Sequence, residues 1–278
     1  MPPTIPFDIV KLVTFCLQED VGMGDITAEL IPIDKIISVK LISKDNGIFC
    51  GRPWADEIFQ QVDRSLIVNW NIEEGAELYP GQTLVQIVGS ARSILTAERT
   101  VLNFLQTLSA VSTVSQHYAS LVRHTSAKLL DTRKTLPSLR SAQKYAVRIG
   151  GCFNHRMGLF DAFLIKENHI AACGGIDAAV SKAKALHPNK SVEIEVQNLN
   201  ELELAISAEA DIVMLDNFEC NNILKAVKLN DGRLKLEASG GIEADMLVSI
   251  AETGVDYISL GALTKNCQAI DLSLLIER

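Results

Sequence analysis

Long hydrophobic runs are missing from this 278-residue sequence. No apolar stretch approaches the roughly 18–20 residues that a membrane-spanning helix needs. The start, MPPTIPFDIVKLV, has neither the basic opening nor the cleavage pattern of a signal peptide. The six cysteines (Cys16, Cys50, Cys152, Cys173, Cys220 and Cys267) include no C-x-x-C pair. That argues against a zinc site and for reduced thiols in a cytoplasmic protein. Repeats, low-complexity stretches and disordered linkers are also lacking. Positive charge is in short supply: 26 Lys and Arg face 34 Asp and Glu, for a net charge of -8. So acidic a chain is a poor candidate for broad nucleic-acid or membrane binding. Its length suits one α/β barrel or two modest domains.

The scarce cations are concentrated. Between Asp131 and His169 the chain reads DTRKTLPSLRSAQKYAVRIGGCFNHRMGLFDAFLIKENH, with seven Lys or Arg against three acids. The stretch is formally +4, which leaves -12 for the remainder. Cations confined to one stretch of an acidic protein predict a pocket for a small, multiply charged anion.

The second half alternates short apolar runs with helical patterns. Strands are predicted at Lys128–Asp131, Ala162–Lys166, Val192–Val196, Ile212–Leu215, Leu234–Ala238 and Tyr257–Leu260. Helices are predicted at Leu139–Ile149, Asp177–Leu186, Leu199–Ser207, Asn221–Leu229 and Glu243–Glu252. Such alternation implies parallel βα units. No G-x-G-x-x-G follows the first strand, which disfavours a dinucleotide-binding sheet and favours a barrel, complete or incomplete. The first 110 residues differ, with a helix at Asp8–Glu19, strands at Ile36–Ser43, Ser65–Trp70 and Thr83–Val88, and a long helix over Thr96–Val122. The expected class is α/β: an N-terminal α+β domain (1–112) and an open α/β barrel (113–266), with the tail (267–278) returning to the first domain.

In such barrels the carboxyl ends of the strands surround one mouth. The six predicted strands deliver there Thr132-Arg133-Lys134, Lys166, Glu195, Asp216-Asn217, Ser239-Gly240-Gly241 and Gly261. Arg133, Lys134, Arg156 and Lys166 are candidate anion ligands, with ordinary surface ion pairing as the plainer alternative. Arg140, Lys144 and Arg148, spaced by four, describe one solvated helix face as readily as a site. Glu195 and Asp216 suit Mg²⁺ or sugar hydroxyls, or else serve as a counter-ion for Lys166 or a helix cap. Glu193, deeper on the same strand face, is placed to reach Lys166 from below. The glycine loops after the last two strands suit phosphate. His169 is expected to support its loop, and His117, His124 and His187 to be structural or exposed.

The runs QEDVGMGDIT (18–27), ERTVLNFLQTLSAVST (98–113), DTRKTLPSLR (131–140), KYAVRIGGCFNHRMGLFDAFLIKENHI (144–170), DIVMLDNF (211–218), EASGGI (237–242) and ISLGALT (258–264) resemble quinolinate phosphoribosyltransferases. The resemblance runs from the first helix to the last strand. It implies conversion of quinolinate and phosphoribosyl pyrophosphate to nicotinate mononucleotide, pyrophosphate and CO₂ with Mg²⁺, in a homodimer or larger homo-oligomer with shared sites. It further implies that Arg99 crosses from the partner subunit, while Thr132, Arg133, Lys134, His155, Arg156 and Lys166 surround carboxylates and phosphates. Glu195 and Asp216 would serve the ribose hydroxyls and the metal, and Lys134, Lys166, Glu195 and Asp216 would be catalytic. Ser239, Gly240, Gly241, Leu260, Gly261 and Ala262 would hold the 5′-phosphate. Leu136, Ser138, Cys152 and Lys265 depart from the family's usual residues and bear on loop stiffness more than on charge. A related branch associated with molybdenum transport, a Schiff-base aldolase using Lys166 and a silent phosphosugar-binding protein are the alternatives. The pairing of NHR with LIKENH and the intact cations favour the quinolinate reading.

Overall fold

The structure is a computed structural model that describes residues 3–277. The chain forms two compact units: residues 3–116, 135–151 and 263–277, and residues 117–134 and 152–262. The sequence reading places 135–151 with the barrel; its contacts are with the first unit instead, for reasons given below.

The first unit opens with α1 (Ile9–Val21), which buries Leu12 and Val13 and ends at Gly22, where φ is 54°. Strand β1 (Ile36–Ser43) buries alternate residues Val39, Leu41 and Ser43, and a short β2 (Gly47–Ile48) follows. Helix α2 (Arg52–Val62) is not anticipated from the sequence, because Asp56, Glu57, Gln60 and Gln61 dilute its apolar stripe. That stripe is nevertheless complete at Trp54, Ala55, Ile58 and Phe59, spaced as one helix face. Its first turn is held by Glu74, whose carboxylate accepts from the Gly51 and Arg52 N–H groups at 2.8 and 2.6 Å. Next come β3 (Ile67–Trp70), β4 (Glu77–Leu78), β5 (Thr83–Ser90) and α3 (Ala91–Leu121). Helix α3 begins five residues before the predicted Thr96, whose hydroxyl instead donates to Asp25 at 2.8 Å.

The second unit contributes β6 (Lys128–Leu130). The chain then forms α4 (Arg140–Ile149), which belongs to the first unit: Ser112 donates to the Ala146 carbonyl at 2.8 Å, and Tyr145 packs edge-on against Trp54. Back in the second unit, β7 (Phe163–Ile165), α5 (Glu167–Cys173), α6 (Ile176–Leu186), β8 (Val192–Val196), α7 (Leu199–Ser207), β9 (Ile212–Asp216), α8 (Cys220–Asn230), β10 (Lys235–Ser239), α9 (Ala244–Ala251) and β11 (Tyr257–Ser259) follow in order. All six strands are parallel, in the order β6-β11-β10-β9-β8-β7, and Phe153 bridges to the free side of Leu130. Among the described residues no ladder joins Phe153 to β7, so the barrel is incomplete. Along β8 the apolar Val192, Ile194 and Val196 alternate with Glu193 and Glu195. Along β10 Leu236 and Ala238 alternate with Glu237 and Ser239. The acidic rows share the face that meets His155. A period of two thus lines the interior with carboxylates and leaves the apolar row for the helices.

After α10 (Ala262–Lys265), β12 (Leu272–Ile276) pairs antiparallel with β1, completing the first unit's sheet in the order β12-β1-β5-β3. No helix among the described residues is long and apolar enough to cross a membrane.

Trp54 is wholly buried, stacked with Phe104 and edge-on to Tyr145. Trp54→Ala should cost about 3–5 kcal/mol in urea unfolding. A loss below about 1 kcal/mol would show that this aromatic cluster is not the first unit's core.

Candidate active site

The parallel register brings the carboxyl ends of β6 to β11 to one edge of the second unit. Arg133 and Lys134 follow β6 and are exposed; Lys166 follows β7 and is exposed. Glu195 lies one residue inside the end of β8, and Asp216 ends β9. Ser239-Gly240-Gly241 and Leu260-Gly261-Ala262 close β10 and β11. Thr132 turns the first loop, its hydroxyl accepting from the Lys134 N–H at 3.0 Å.

Two glycines are required by the turn after β10. Gly240 has φ 104°, and a Cβ there would run into the Asn217 side chain and come within 2.8 Å of the Asn217 N–H. Gly241 has φ 57° and open space around it. The neighbouring loop is tied on by the Asn217 N–H, which donates to the Ser239 carbonyl at 2.9 Å. Backbone amides are thereby left close to any group entering at this edge.

The cations and carboxylates fall into two groups. Lys166 Nζ donates to Glu195 Oε2 at 2.6 Å. Asp216 beside them has its carboxyl pushed above the usual range, first by burial and then by the Glu195 charge. In the other group, Arg156 donates to the Ala162 carbonyl at 3.2 Å while its Nε is buried without an acceptor. Desolvation and the Arg133 charge both weaken the hold of Arg156 on its proton. Two guanidinium groups that repel each other, one with a buried orphan donor, have the chemistry to receive an anion.

Two expectations need correction. Glu193 does not reach up to Lys166; it lies 2.9 Å from His155 Nε2 in the barrel interior. His155 is nearly buried there, and its backbone N–H donates to Asp131 Oδ1 at 2.9 Å. Lys144 is no part of a solvated face: it is buried on α4 in the first unit, where Arg148 is exposed and Arg140 half-buried. Arg99 is exposed on α3 in the first unit. His169 supports its loop as expected, its Nδ1 accepting from the Lys166 N–H at 3.0 Å.

Sequence reasoning missed Asp131 and Glu237. Asp131 is fully buried and accepts from Asn154 Nδ2 at 2.6 Å as well as from His155 N–H, so it fixes the NHR turn beside β6. Glu237 is fully buried, and neither of its oxygens meets a donor in hydrogen-bond geometry. Burial first, and the Glu193 charge second, push its carboxyl up to about 8. Both were legible as acids in apolar strand runs, a pattern that calls for a buried partner.

The family model described as "Quinolinate phosphoribosyl transferase, C-terminal domain" matches residues 111–275, and its N-terminal counterpart matches 25–109. The chain is 38% identical over 265 residues to a probable nicotinate-nucleotide pyrophosphorylase (carboxylating) of Bacillus subtilis, covering 95% of this chain and 92% of the relative. It is 40% identical to the nicotinate-nucleotide pyrophosphorylase (carboxylating) of Mycobacterium leprae, covering 93% of each. The solved nicotinate-nucleotide pyrophosphorylase of Francisella tularensis superposes with a TM-score of 0.95 at 50% identity, covering 99% and 98% of the two chains.

The raised Glu237 carboxyl makes stability depend on pH. An acid held neutral by burial stabilises the fold fully below its ordinary value of 4.5, and that contribution is lost as pH rises through about 8. Between about pH 5 and 8, urea unfolding of the wild type should lose more stability than Glu237→Gln, the difference being on the order of a few kcal/mol. Parallel pH curves for the two proteins would mean that Glu237 is ionised throughout.

Proposed function

Since the chain belongs to the quinolinate phosphoribosyltransferase family, we propose that it makes nicotinate mononucleotide, pyrophosphate and CO₂ from quinolinate and phosphoribosyl pyrophosphate in NAD biosynthesis. The observation that carries this reading is the pair Arg133 and Arg156 at the carboxyl edge of parallel strands, mutually repelling, with the buried Arg156 Nε lacking an acceptor. A dicarboxylate answers both demands.

Arg133, Lys134 and Arg156 neutralise the quinolinate carboxylates and hold the ring nitrogen against the anomeric carbon, an effect of positioning and of fixed charge. The nitrogen lone pair forms the new C–N bond as the C–O bond to pyrophosphate breaks, and Lys166 receives the growing charge on the leaving group. Glu195 and Asp216 face the sugar, whose anomeric carbon becomes positive as the bond breaks. The positive charge of the quaternised ring nitrogen then stabilises the electron pair left on the adjacent ring carbon when its carboxylate departs as CO₂, and that carbon takes up a proton. Lys166 is a clamp in this scheme, its Nζ held 2.6 Å from Glu195 Oε2.

Mg²⁺ fits the same edge, since Asp216 and Glu195 oppose each other's charge and a cation would relieve both. Bound there by Glu195 and Asp216, the ion would supply charge neutralisation to the pyrophosphate group. A homodimer is supported by exposed Phe7, Phe15, Met23, Ile26, Leu30 and Ile33, a run of large apolar side chains near the start of the first unit. Arg99, exposed on α3, would then serve the partner subunit's site. Six free thiols are in keeping with a cytoplasmic setting.

Arg133→Ala and Lys166→Ala should each lower kcat/KM for nicotinate mononucleotide formation by about 100-fold or more. Near-normal values in both would remove the assignment. Calorimetry should show quinolinate binding and nicotinate binding at least about tenfold weaker, the second carboxylate making the difference. Mixing Arg99→Ala subunits with Arg156→Ala subunits should restore part of the activity that each homogeneous variant lacks; no recovery would place Arg99 outside the shared site.

A further inference from the structure

Below the mouth, His155, Glu193 and Glu237 bring one ring nitrogen and two carboxylates together, with ligand atoms within 4.8 Å of one another. Glu193 and Glu237 are almost completely buried, and Glu193 Oε1 and both Glu237 oxygens meet no hydrogen-bond donor. His155 Nε2 stands 2.9 Å from Glu193 and 3.7 Å from Glu237, within ion-pair range, with neither acid aligned on it in hydrogen-bond geometry. Such a set would ordinarily suggest a divalent metal.

The other ring nitrogen decides against a metal. His155 Nδ1 accepts from the backbone N–H of Arg156 at 2.8 Å. A proton on Nδ1 would collide with that N–H, so the ring proton sits on Nε2, facing the two acids. A metal at Nε2 would require the ring to carry no proton at all. An imidazolium would require a proton on Nδ1 and would expel the Arg156 N–H. The opposite tautomer would aim the Nε2 lone pair at the Glu193 carboxylate 2.9 Å away, which is repulsive. The acids and the amide therefore select one neutral ring state.

That choice has a consequence at the mouth. The Arg156 backbone is held on one side by His155 Nδ1, while Asp131 grips the Asn154 side chain and the His155 N–H. The Arg156 guanidinium hangs from this fixed backbone, beside Arg133. We infer that Glu193 and Glu237 are positioning residues for phosphoribosyl transfer: they hold His155 as its Nε2–H tautomer, so that Nδ1 pins Arg156 where its guanidinium meets the substrate carboxylate. Neither acid touches substrate; both act through the imidazole. This inference rests on the quinolinate reading for its catalytic consequence and on the ring geometry alone for the tautomer.

The experiment has two independent arms. Long-range ¹H–¹⁵N spectra of ¹⁵N-histidine-labelled protein report the ring state, and the five histidines allow assignment by His155→Gln. Wild-type His155 should show a protonated Nε2 and an unprotonated Nδ1. Glu193→Gln, whose amide carbonyl still faces Nε2, should keep that pattern and a quinolinate KM within about threefold of wild type. Glu193→Leu should lose the single tautomer and raise the quinolinate KM about tenfold or more, with KM for phosphoribosyl pyrophosphate changed less than about threefold. Glu237→Gln should behave as Glu193→Gln does. An imidazolium or an Nδ1–H ring in the wild type, or a metal that the wild type retains and His155→Gln loses by elemental analysis, would overturn the inference. So would an unchanged quinolinate KM in a folded Glu193→Leu, and the wild-type spectrum decides the tautomer even if that variant does not fold. Should the wild type fail to use quinolinate at all, the functional reading falls while the spectrum still tests the ring.

Discussion

A carboxylate buried in a protein must be answered by hydrogen-bond donors or opposite charge, and the second unit depends on how three such carboxylates are answered. Asp131 is matched by the Asn154 side chain and the His155 N–H. Glu193 lies 2.9 Å from His155 Nε2, in ion-pair range, and Glu237 is left beside both, its carboxyl pushed up to about 8 by burial and by Glu193. All three converge on residues 154–156, which have no strand or helix of their own beyond the bridge at Phe153. An irregular segment needs such anchors, because without a ladder its backbone groups have no regular partners. The acids therefore supply the precision with which Arg156 reaches the mouth.

Charge is sorted by depth as well as by sequence. The interior of the barrel is acidic at Glu193 and Glu237, its rim mixes Glu195 and Asp216 with Lys166, and the loops outside carry Arg133 and Lys134. A dianion arriving at the rim meets cations that are close to the protein surface yet held from within. Glu193 below offsets part of the repulsion that Arg133 exerts on Arg156. The rim stays cationic enough to attract a second, more highly charged substrate. An interior made only of apolar side chains would leave Arg156 partly desolvated with nothing beneath it to offset its charge.

Much of this was legible in the sequence. The strands β8 and β9 and the helix α7 lie where the alternation of apolar runs and helical patterns placed them, and so do the charged tips at the strand ends. The return of the tail to β1 was equally foreseeable, since an apolar run beyond the last barrel strand needs a sheet to join. What escaped was whatever depends on burial rather than on pattern. Lys144 and Arg148 share a helical spacing with Arg140, yet only the packing of α4 in the first unit decides that Lys144 is buried while Arg148 is exposed. Glu193 was read as a partner for Lys166 because both belong to the same neighbourhood. The ring of His155, brought from the irregular stretch after α4, takes it instead. Helix α2 was hidden because its charged face outweighs four well-spaced apolar residues.

Ser138 shows how the chain keeps a geometry while changing the residue that usually provides it. Its φ of 63° lies in the left-handed region that glycine occupies without penalty. A side chain there costs on the order of 1 kcal/mol. The strain is offset locally: the Leu139 N–H donates to the Leu136 carbonyl at 3.2 Å, and the Leu136 N–H donates to Gln143 at 2.8 Å. Gln143 in turn donates to the Thr264 carbonyl at 2.9 Å, tying the turn to the segment that leads into β12. Because serine has fewer accessible conformations than glycine in the unfolded chain, it loses less backbone freedom when the turn forms. The Thr135–Ser138 loop is thus held by hydrogen bonds at both ends rather than by a flexible hinge residue.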